Sequence, residues 1–384
     1  MLIDGRHLAG GGATRGFGRY LHSLLPELAL RPEVEVSVLV TSGGARAVPQ
    51  GVRAITIRRG LPLPGRFRDM EHHVRLPFDI ARHRHGVFHN AASERAPWFC
   101  GHPWVHTIHD VPLSFSDAEH SDQVRTWRRR RRRVRFADAV LAVSHYAADN
   151  AIAVLGLDPA RVRVAASGVP EAFSPPPDRP PGSGQPGGAA PYLLVVGDYG
   201  PHKGYAEAFE LIGALADRGL PHVLLVAGRL GSWARPVVDG LVARSPRSSR
   251  IRLLGAADDD ELLRWYRGAD ALVVPSRAEG FGLPAVEAMA CGTPVVAFDN
   301  TALPEVIGDG GLLVPDGDVR ALAEAIFGLV SDPERWRTAS ATAFRRSRAF
   351  SWSACAAAYV EVFREVYAGA AGGLSAARAG PLPE

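Results

Sequence analysis

The sequence predicts an α/β protein made of two doubly wound parallel-sheet domains. Three observations carry this. The chain has 384 residues, too long for one ordinary core. Strand-like apolar runs alternate with helix-like runs along its length, the pattern of a parallel sheet covered by helices. The segment PPPDRPPGSGQPGGAAP (175–191) cannot build a core and splits the alternation into halves of similar size. The expected organisation is a domain over 1–173, a linker over 174–191, a domain over 192–349, a terminal helix over 350–368 and a disordered tail over 369–384.

In the first half, strand-like runs lie near 2–4, 34–40, 52–57, 87–90, 104–108, 139–143 and 162–165. Helices are expected over 16–29, where GGGATRGFGRYLHSLLPEL (10–28) reads as a glycine-rich loop opening a helix, and over 118–136. In the second half, strands are expected at 192–196, 223–227, 251–254, 271–275, 295–298 and 312–314. Helices are expected at 204–217, 259–267, 284–291 and 319–330, the last with Asp318 as N-cap. Pro284 suits a first helical position, where its missing N–H is unneeded. Gly292 ends that helix and Thr293-Pro294 blocks its continuation. FSWSACAAAYVEVFREVYA (350–368) reads as an amphipathic terminal helix.

Composition narrows the function. Hydrophobic residues make up 46% of the chain, yet no apolar run approaches the roughly 20 residues of a membrane span. MLIDGRHL has no long apolar core and cleavage site, so it does not read as a signal peptide. Cys100, Cys291 and Cys355 are odd in number and far apart, which points to a reducing cytoplasm. Lysine and arginine together number 44, and Lys203 is the single lysine. An ammonium is a compact point charge with rotatable donors, unlike a guanidinium. Lys203 stands in VVGDYGPHKGY (195–205), between a strand and a helix, where a point charge would meet a phosphate.

The densest chemistry lies in EGFGLPAVEAMACGTPVV (279–296), read as strand end, glycine loop, helix, glycine stop and next strand. A helix N-terminus fed by Gly280-Phe281-Gly282 suits a phosphate group. Glu279 in the loop and Glu287 in the helix can accept hydrogen bonds from sugar hydroxyls. A dipole role for both acids is the plainer reading, but it requires neither Gly280 nor Gly282. Ser276 ends the strand before this loop. Phosphate plus polyol describes a nucleotide sugar.

The run VHTIHDVP (105–112) ends a strand in His109-Asp110, and His89-Asn90 ends the strand-like run before it. Asp110 either orients the histidine or caps a turn. A dinucleotide fingerprint fails: Leu21 stands where the third glycine after Gly16-x-Gly18 belongs, and Thr41-Ser42 supplies no acid for a ribose. His83, His85 and His89 lack a carboxylate or cysteine to complete a metal set. Asp258 to Asp260 and Asp316 to Asp318 precede helical patterns and read as N-caps rather than metal ligands. Arg128–Arg133 are six consecutive arginines. They form either an arginine-biased exposed helix or a landing patch for an acidic membrane or anionic acceptor. No aromatic platform accompanies them, so nucleic acid is not expected as a partner.

Glu279-x7-Glu287 and its glycine loop resemble the signature of retaining glycosyltransferases of family 4. Other stretches extend the resemblance over nearly the whole chain: the strand–loop–Lys203–Gly204 element, the Gly16-Phe17-Gly18 loop, His109, Gly228-Arg229 at a strand end, and Phe350-Ser351-Trp352. The resemblance implies the GT-B architecture, two Rossmann-like doubly wound parallel-sheet domains facing a central cleft, with the last helix packed back on the first domain. It implies that Glu279 and His109 contact the transferred sugar, that Glu287 binds the nucleotide's ribose, and that Lys203 neutralises the donor diphosphate. Gly16, Gly18, Arg229, Ser276, Gly280, Phe281, Gly282, Leu283 and Glu287 are the donor-binding candidates; His89 and Asp110 lie on the acceptor side. For Gly16 and Gly18 a purely structural turn fits equally, and for Arg229 a surface ion pair does. Many members carry arginine where this chain has Asp198, so Arg229 or His202 becomes the candidate replacement.

The implied activity is metal-independent, cofactor-free transfer of a hexose from a nucleoside-diphosphate sugar to a hydroxyl acceptor. DNTALPEVIGDGGLLVPDGD (299–318) with VHTIHD resembles the mannosyltransferase branch, which makes GDP-mannose the first donor, with UDP-hexoses next. Glycan, lipid-linked and secondary-metabolite acceptors all fit. The expected location is the cytoplasm, with a peripheral contact on the inner membrane face. The alternatives are a sugar-nucleotide epimerase and a non-catalytic sugar-nucleotide-binding protein.

Overall fold

The computed structural model describes residues 1–8, 16–41, 43–57, 76–83, 85–91, 100–109, 132–176 and 190–378. The chain divides into two compact units, one of residues 1–168 with 352–384 and one of residues 169–351.

In the first unit the strands are β1 (Leu2–Asp4), β2 (Ser37–Thr41), β3 (Arg53–Ile57), β4 (Phe88–Asn90), β5 (Trp104–Ile108), β6 (Ala139–Ala142) and β7 (Val162–Val164). They form one parallel sheet in the order β3-β2-β1-β4-β5-β6-β7. The central strands are buried along their length, as strands covered on both faces must be, and they bury the polar Asp4, His89, Asn90, His106 and Thr107 with their apolar residues. The described α-helices of this unit's N-terminal stretch are α1 (Gly16–Ala29), α2 (Leu76–Ala81) and α3 (His145–Leu155). α3 starts where the Ser144 hydroxyl accepts the Ala147 amide, and it stops at Gly156 in the left-handed region. The helix expected over 118–136 falls mostly outside the described residues. Its described end, Arg132–Phe136, is a 3-10 turn rather than an α-helix.

The second unit holds β8 (Tyr192–Val196), α4 (Tyr205–Asp217), β9 (Val223–Ala227), α5 (Ala234–Arg244), β10 (Ile251–Gly255), α6 (Asp259–Gly268) and β11 (Ala271–Val274). After these come α7 (Leu283–Ala290), β12 (Val295–Asp299), α8 (Leu303–Ile307), β13 (Gly311–Pro315), α9 (Val319–Val330) and α10 (Pro333–Ser347). The sheet is parallel with order β10-β9-β8-β11-β12-β13. Strand order reverses between β8 and β11, and ligands of such sheets bind beyond the carboxyl ends of the strands at that reversal. The core is built from Leu193, Val195, Phe209, Ile212, Val273 and Phe298, all buried.

The Asp-x-Asp strings serve as caps. Asp258 accepts the Glu261 amide and Glu261 answers in a capping box, while Asp318 accepts the Ala321 amide. Among the described residues no group of three or more His, Cys, Asp or Glu is placed to hold a metal ion. No described helix is long and apolar enough to cross a membrane.

The last helix, α11 (Trp352–Arg378), runs past residue 368, where the sequence reading ended it, and takes in part of the expected tail. Within the first unit it packs on α1 and the sheet through a buried hydroxyl chain. Tyr359 Oη lies 2.5 Å from Tyr20 Oη and 2.7 Å from Thr107 Oγ1, and Thr107 Oγ1 lies 2.9 Å from His89 Nε2. Tyr359→Phe keeps the ring but leaves buried hydroxyls short of a partner. It should cost about 1–2 kcal/mol in urea unfolding; an unchanged midpoint would show that the chain adds nothing to the docking of α11.

Candidate functional site

The site at the β8–β11 reversal is built by glycines that let loops touch. β8 runs into Gly197 and a short 3-10 turn, Pro201–Lys203, closed by Gly204 at φ +66. A Cβ at Gly204 would stand 1.9 Å from the Pro275 carbonyl oxygen, so only glycine permits this approach to the end of β11. The Arg277 amide donates to the His202 carbonyl at 2.8 Å and ties the two loops together. Lys203 is thereby delivered to the loop after β11, where its Nζ lies 2.7 Å from Glu279 Oε1. The two residues singled out as phosphate cation and sugar carboxylate are direct partners.

Glu279 is held from behind. Its amide donates to Thr301 Oγ1 at 3.1 Å, and Thr301 Oγ1 donates to Asn300 Oδ1 at 3.0 Å. Asn300 Nδ2 reaches the Ser276 carbonyl at 3.0 Å and Asp316 at 2.7 Å. Thr301 has φ +50, a region that β-branched residues avoid, so the fold spends conformational energy to place this hydroxyl. Sequence reading missed Asn300 and Thr301 as supports, although a polar pair between a strand and Leu303-Pro304 was there to be read.

Two effects compete on the Glu279 carboxyl. Burial raises its pKa, but the Lys203 charge and hydrogen bond, with a hydrogen bond from Ser276, outweigh burial and hold it below the usual carboxylate value. The ion pair's stabilisation is complete above the unfolded carboxylate's pKa, about 4.3, and is lost as the pH falls through the lower folded value. Lys203→Ala strands a shielded carboxylate and should cost about 1–2 kcal/mol at neutral pH. Glu279→Gln should cost less, because the Lys203 side chain is 22% exposed and its ammonium can turn to water. Urea unfolding should show the Lys203→Ala penalty shrinking below about pH 4; a pH-independent penalty would contradict the pairing.

Gly282, at φ +91, precedes α7 and offers no side-chain cap to its first turn. Pro284 stands at the second helical position rather than the first expected for it. Glu287, on the next turn of α7, is 3% exposed, and Tyr266 Oη donates to its Oε2 at 2.9 Å. Tyr266, on α6, escaped the sequence reading. Phe281 departs from its expected place: its ring is buried edge-on against Phe350 at 5.6 Å, so it anchors the loop instead of facing a ligand. Gly280 and Leu283 are half-buried, and Ser276 is buried. Arg229, beyond β9, pairs with Asp198: its amide reaches Oδ1 at 2.9 Å and its guanidinium Oδ2 at 3.3 Å.

In the first unit, Gly16 and Gly18 lie in the first turn of α1. His109 follows β5; its Nε2 donates to the Ala91 carbonyl at 2.7 Å, which fixes the proton on that nitrogen. Tyr20 and Phe17 of α1 pack edge-on against its ring at 4.5 and 5.0 Å. His89 does not lie on an accessible acceptor side. It is 0% exposed, walled by Tyr359 and Phe363, and its pKa is pushed down to about 3, first by burial and then by nearby His109. Asp110 and Arg128–Arg131 lie outside the described residues.

Comparison with known proteins completes the picture. A family model described as Glycosyltransferase Family 4 matches residues 14–173, and one described as Glycosyl transferases group 1 matches residues 190–332. The D-inositol 3-phosphate glycosyltransferase of Kineococcus radiotolerans is 30% identical over 406 residues, covering 92% of this chain and 91% of that protein. The O-antigen chain mannosyltransferase B of Escherichia coli is 36% identical over 177 residues, and this match spans 45% of each chain. Among solved structures, sucrose-phosphate synthase from Thermosynechococcus elongatus shares the GT-B fold with a TM-score of 0.76 at 24% identity, over 96% of this chain and 98% of that one. With two parallel-sheet Rossmann-like units, both family models matched and a relative aligned nearly end to end, the chain belongs to glycosyltransferase family 4.

Proposed function

We propose that this glycosyltransferase moves a hexose, with retention of configuration, from a nucleoside-diphosphate sugar to a hydroxyl acceptor. The observation that carries this reading is the 2.7 Å contact of Lys203 with Glu279 at the strand-order reversal. A cation for a diphosphate and a carboxylate for sugar hydroxyls stand side by side there. Lys203, Arg229 and the amides around 282–284, those of Gly282 and Leu283, take the diphosphate, and Glu287 takes the ribose. Glu279 and His109 take the transferred sugar, His109 on the family resemblance. Charge develops on the departing diphosphate, and preorganised donors stabilise it without reorganising. A donor phosphate oxygen accepts the acceptor's proton, so no protein nucleophile and no metal ion is assigned.

Mannose from GDP-mannose is the first donor we propose, supported by the similarity to the O-antigen mannosyltransferase; UDP-hexoses follow. The acceptor is a glycan, a lipid-linked sugar or a secondary metabolite. Three free, buried cysteines support a reducing cytoplasm. A contact of Arg128–Arg133 with an anionic membrane face rests on the sequence. A panel of nucleotide sugars read by thermal shift tests the reading, since a bound donor raises the melting temperature by mass action. A shift with one base and one sugar supports it; no shift with any nucleotide sugar refutes it.

A further inference from the structure

Two glycine turns meet beside Lys203, and Asp198 clamps them together. The ladder continues past the ends of β8 and β9: the Gly197 amide donates to the Ala227 carbonyl at 2.8 Å and the Tyr199 amide to the Arg229 carbonyl at 3.4 Å. A Cβ at Gly228 would stand 2.0 Å from the Gly197 carbonyl oxygen, so the backbones touch only because residue 228 has none. On its other side Gly197 meets the stem of Lys203, with Cδ and Cε 3.8 Å from where a Cβ would stand. Arg229 thus sits one residue from a turn that borders Lys203.

The carboxylate of Asp198 grips Arg229 twice, by its amide at 2.9 Å and its guanidinium at 3.3 Å. An exposed ion pair contributes little on its own, and these side chains are 49% and 27% exposed. The backbone bond sets this pair apart, because it fixes the turn as well as the charge. An acid here also carries a cost. Both cations beside the turn already face carboxylates, and an arriving diphosphate is repelled by residue 198 through charge alone.

We propose that Asp198 is a positioning residue, holding Arg229 so that its guanidinium becomes a second cationic contact for the donor diphosphate. The proposal rests on the nucleotide-sugar reading above. Positioning and charge act with opposite sign: loss of the clamp weakens diphosphate binding, whereas loss of a mere counter-charge strengthens it.

Calorimetric titration of the full chain with UDP, GDP, UMP and GMP separates the two. Arg229→Gln should weaken binding of the preferred diphosphate about tenfold or more and change the monophosphate by less than about twofold. Asp198→Ala should weaken the diphosphate by about three- to tenfold, and Asp198→Asn, which keeps an acceptor for the amide, by less. Added to Arg229→Gln, the same Asp198→Ala should tighten binding, because only its repulsion is left to remove. Tighter diphosphate binding by Asp198→Ala alone, or no effect of Arg229→Gln, overturns the proposal and leaves the nucleotide-sugar reading standing. A wild-type chain that binds neither UDP nor GDP overturns both.

Discussion

Lys203→Ala should remove about 2–4 kcal/mol of transition-state stabilisation, a fall in kcat/KM of roughly 30- to 1000-fold. The magnitude is that of one preorganised donor lost from a developing anion. The loss should fall on kcat as well as on donor affinity, because the charge on the diphosphate grows as the glycosidic bond breaks. Lys203→Arg should recover only part of the activity. Of the 44 lysines and arginines, every other one is arginine, and a planar guanidinium cannot take the place of a point charge bonded to Glu279 at 2.7 Å. Steady-state assays of nucleotide release in the presence of acceptor measure both variants. Near-normal turnover of Lys203→Ala would remove the basis for assigning the diphosphate to this loop.

Glu287→Gln should weaken donor binding by about 10- to 100-fold, while the rate from the bound donor changes much less. Glu287 is buried on α7 with Tyr266 Oη on one oxygen. A carboxylate only accepts, and it makes charge-assisted bonds to hydroxyl donors; an amide turns one of those oxygens into a donor. The ribose is remote from the bond that breaks, so its contacts act on the ground state and the transition state alike and appear as affinity. Calorimetry on the variant decides: unchanged donor affinity would refute the assignment of Glu287 to the ribose.

The strands of the second unit were legible because they are short, largely apolar runs between polar or glycine residues, the form that buried parallel strands take, whereas β3, β4 and β7 of the first unit carry polar residues within them. Helices with strong caps were available but partly missed. Ser144 before α3 and Asp332-Pro333 at the start of α10 are start signals that the structure uses. The Lys203–Gly204 and Glu279–Glu287 segments could be read as chemistry because glycines at tight approaches leave a mark in sequence. Their partners reach the site from other elements: Tyr266 is ordinary by type and left no signal, and Asn300-Thr301 left only that of a polar pair before Leu303-Pro304. His89 shows the reverse error: a histidine at a strand end looks functional until α11 is seen to seal it inside the first unit.

The single lysine permits a direct test of the central claim. Protein labelled with 13C-lysine, from a tag without lysine, gives one side-chain ε-methylene signal, that of Lys203. On titration with UDP or GDP the account predicts that this signal moves saturably, with the same Kd as calorimetry, and that the free nucleoside leaves it in place. A nucleoside diphosphate that binds while the Lys203 signal stays still would contradict it.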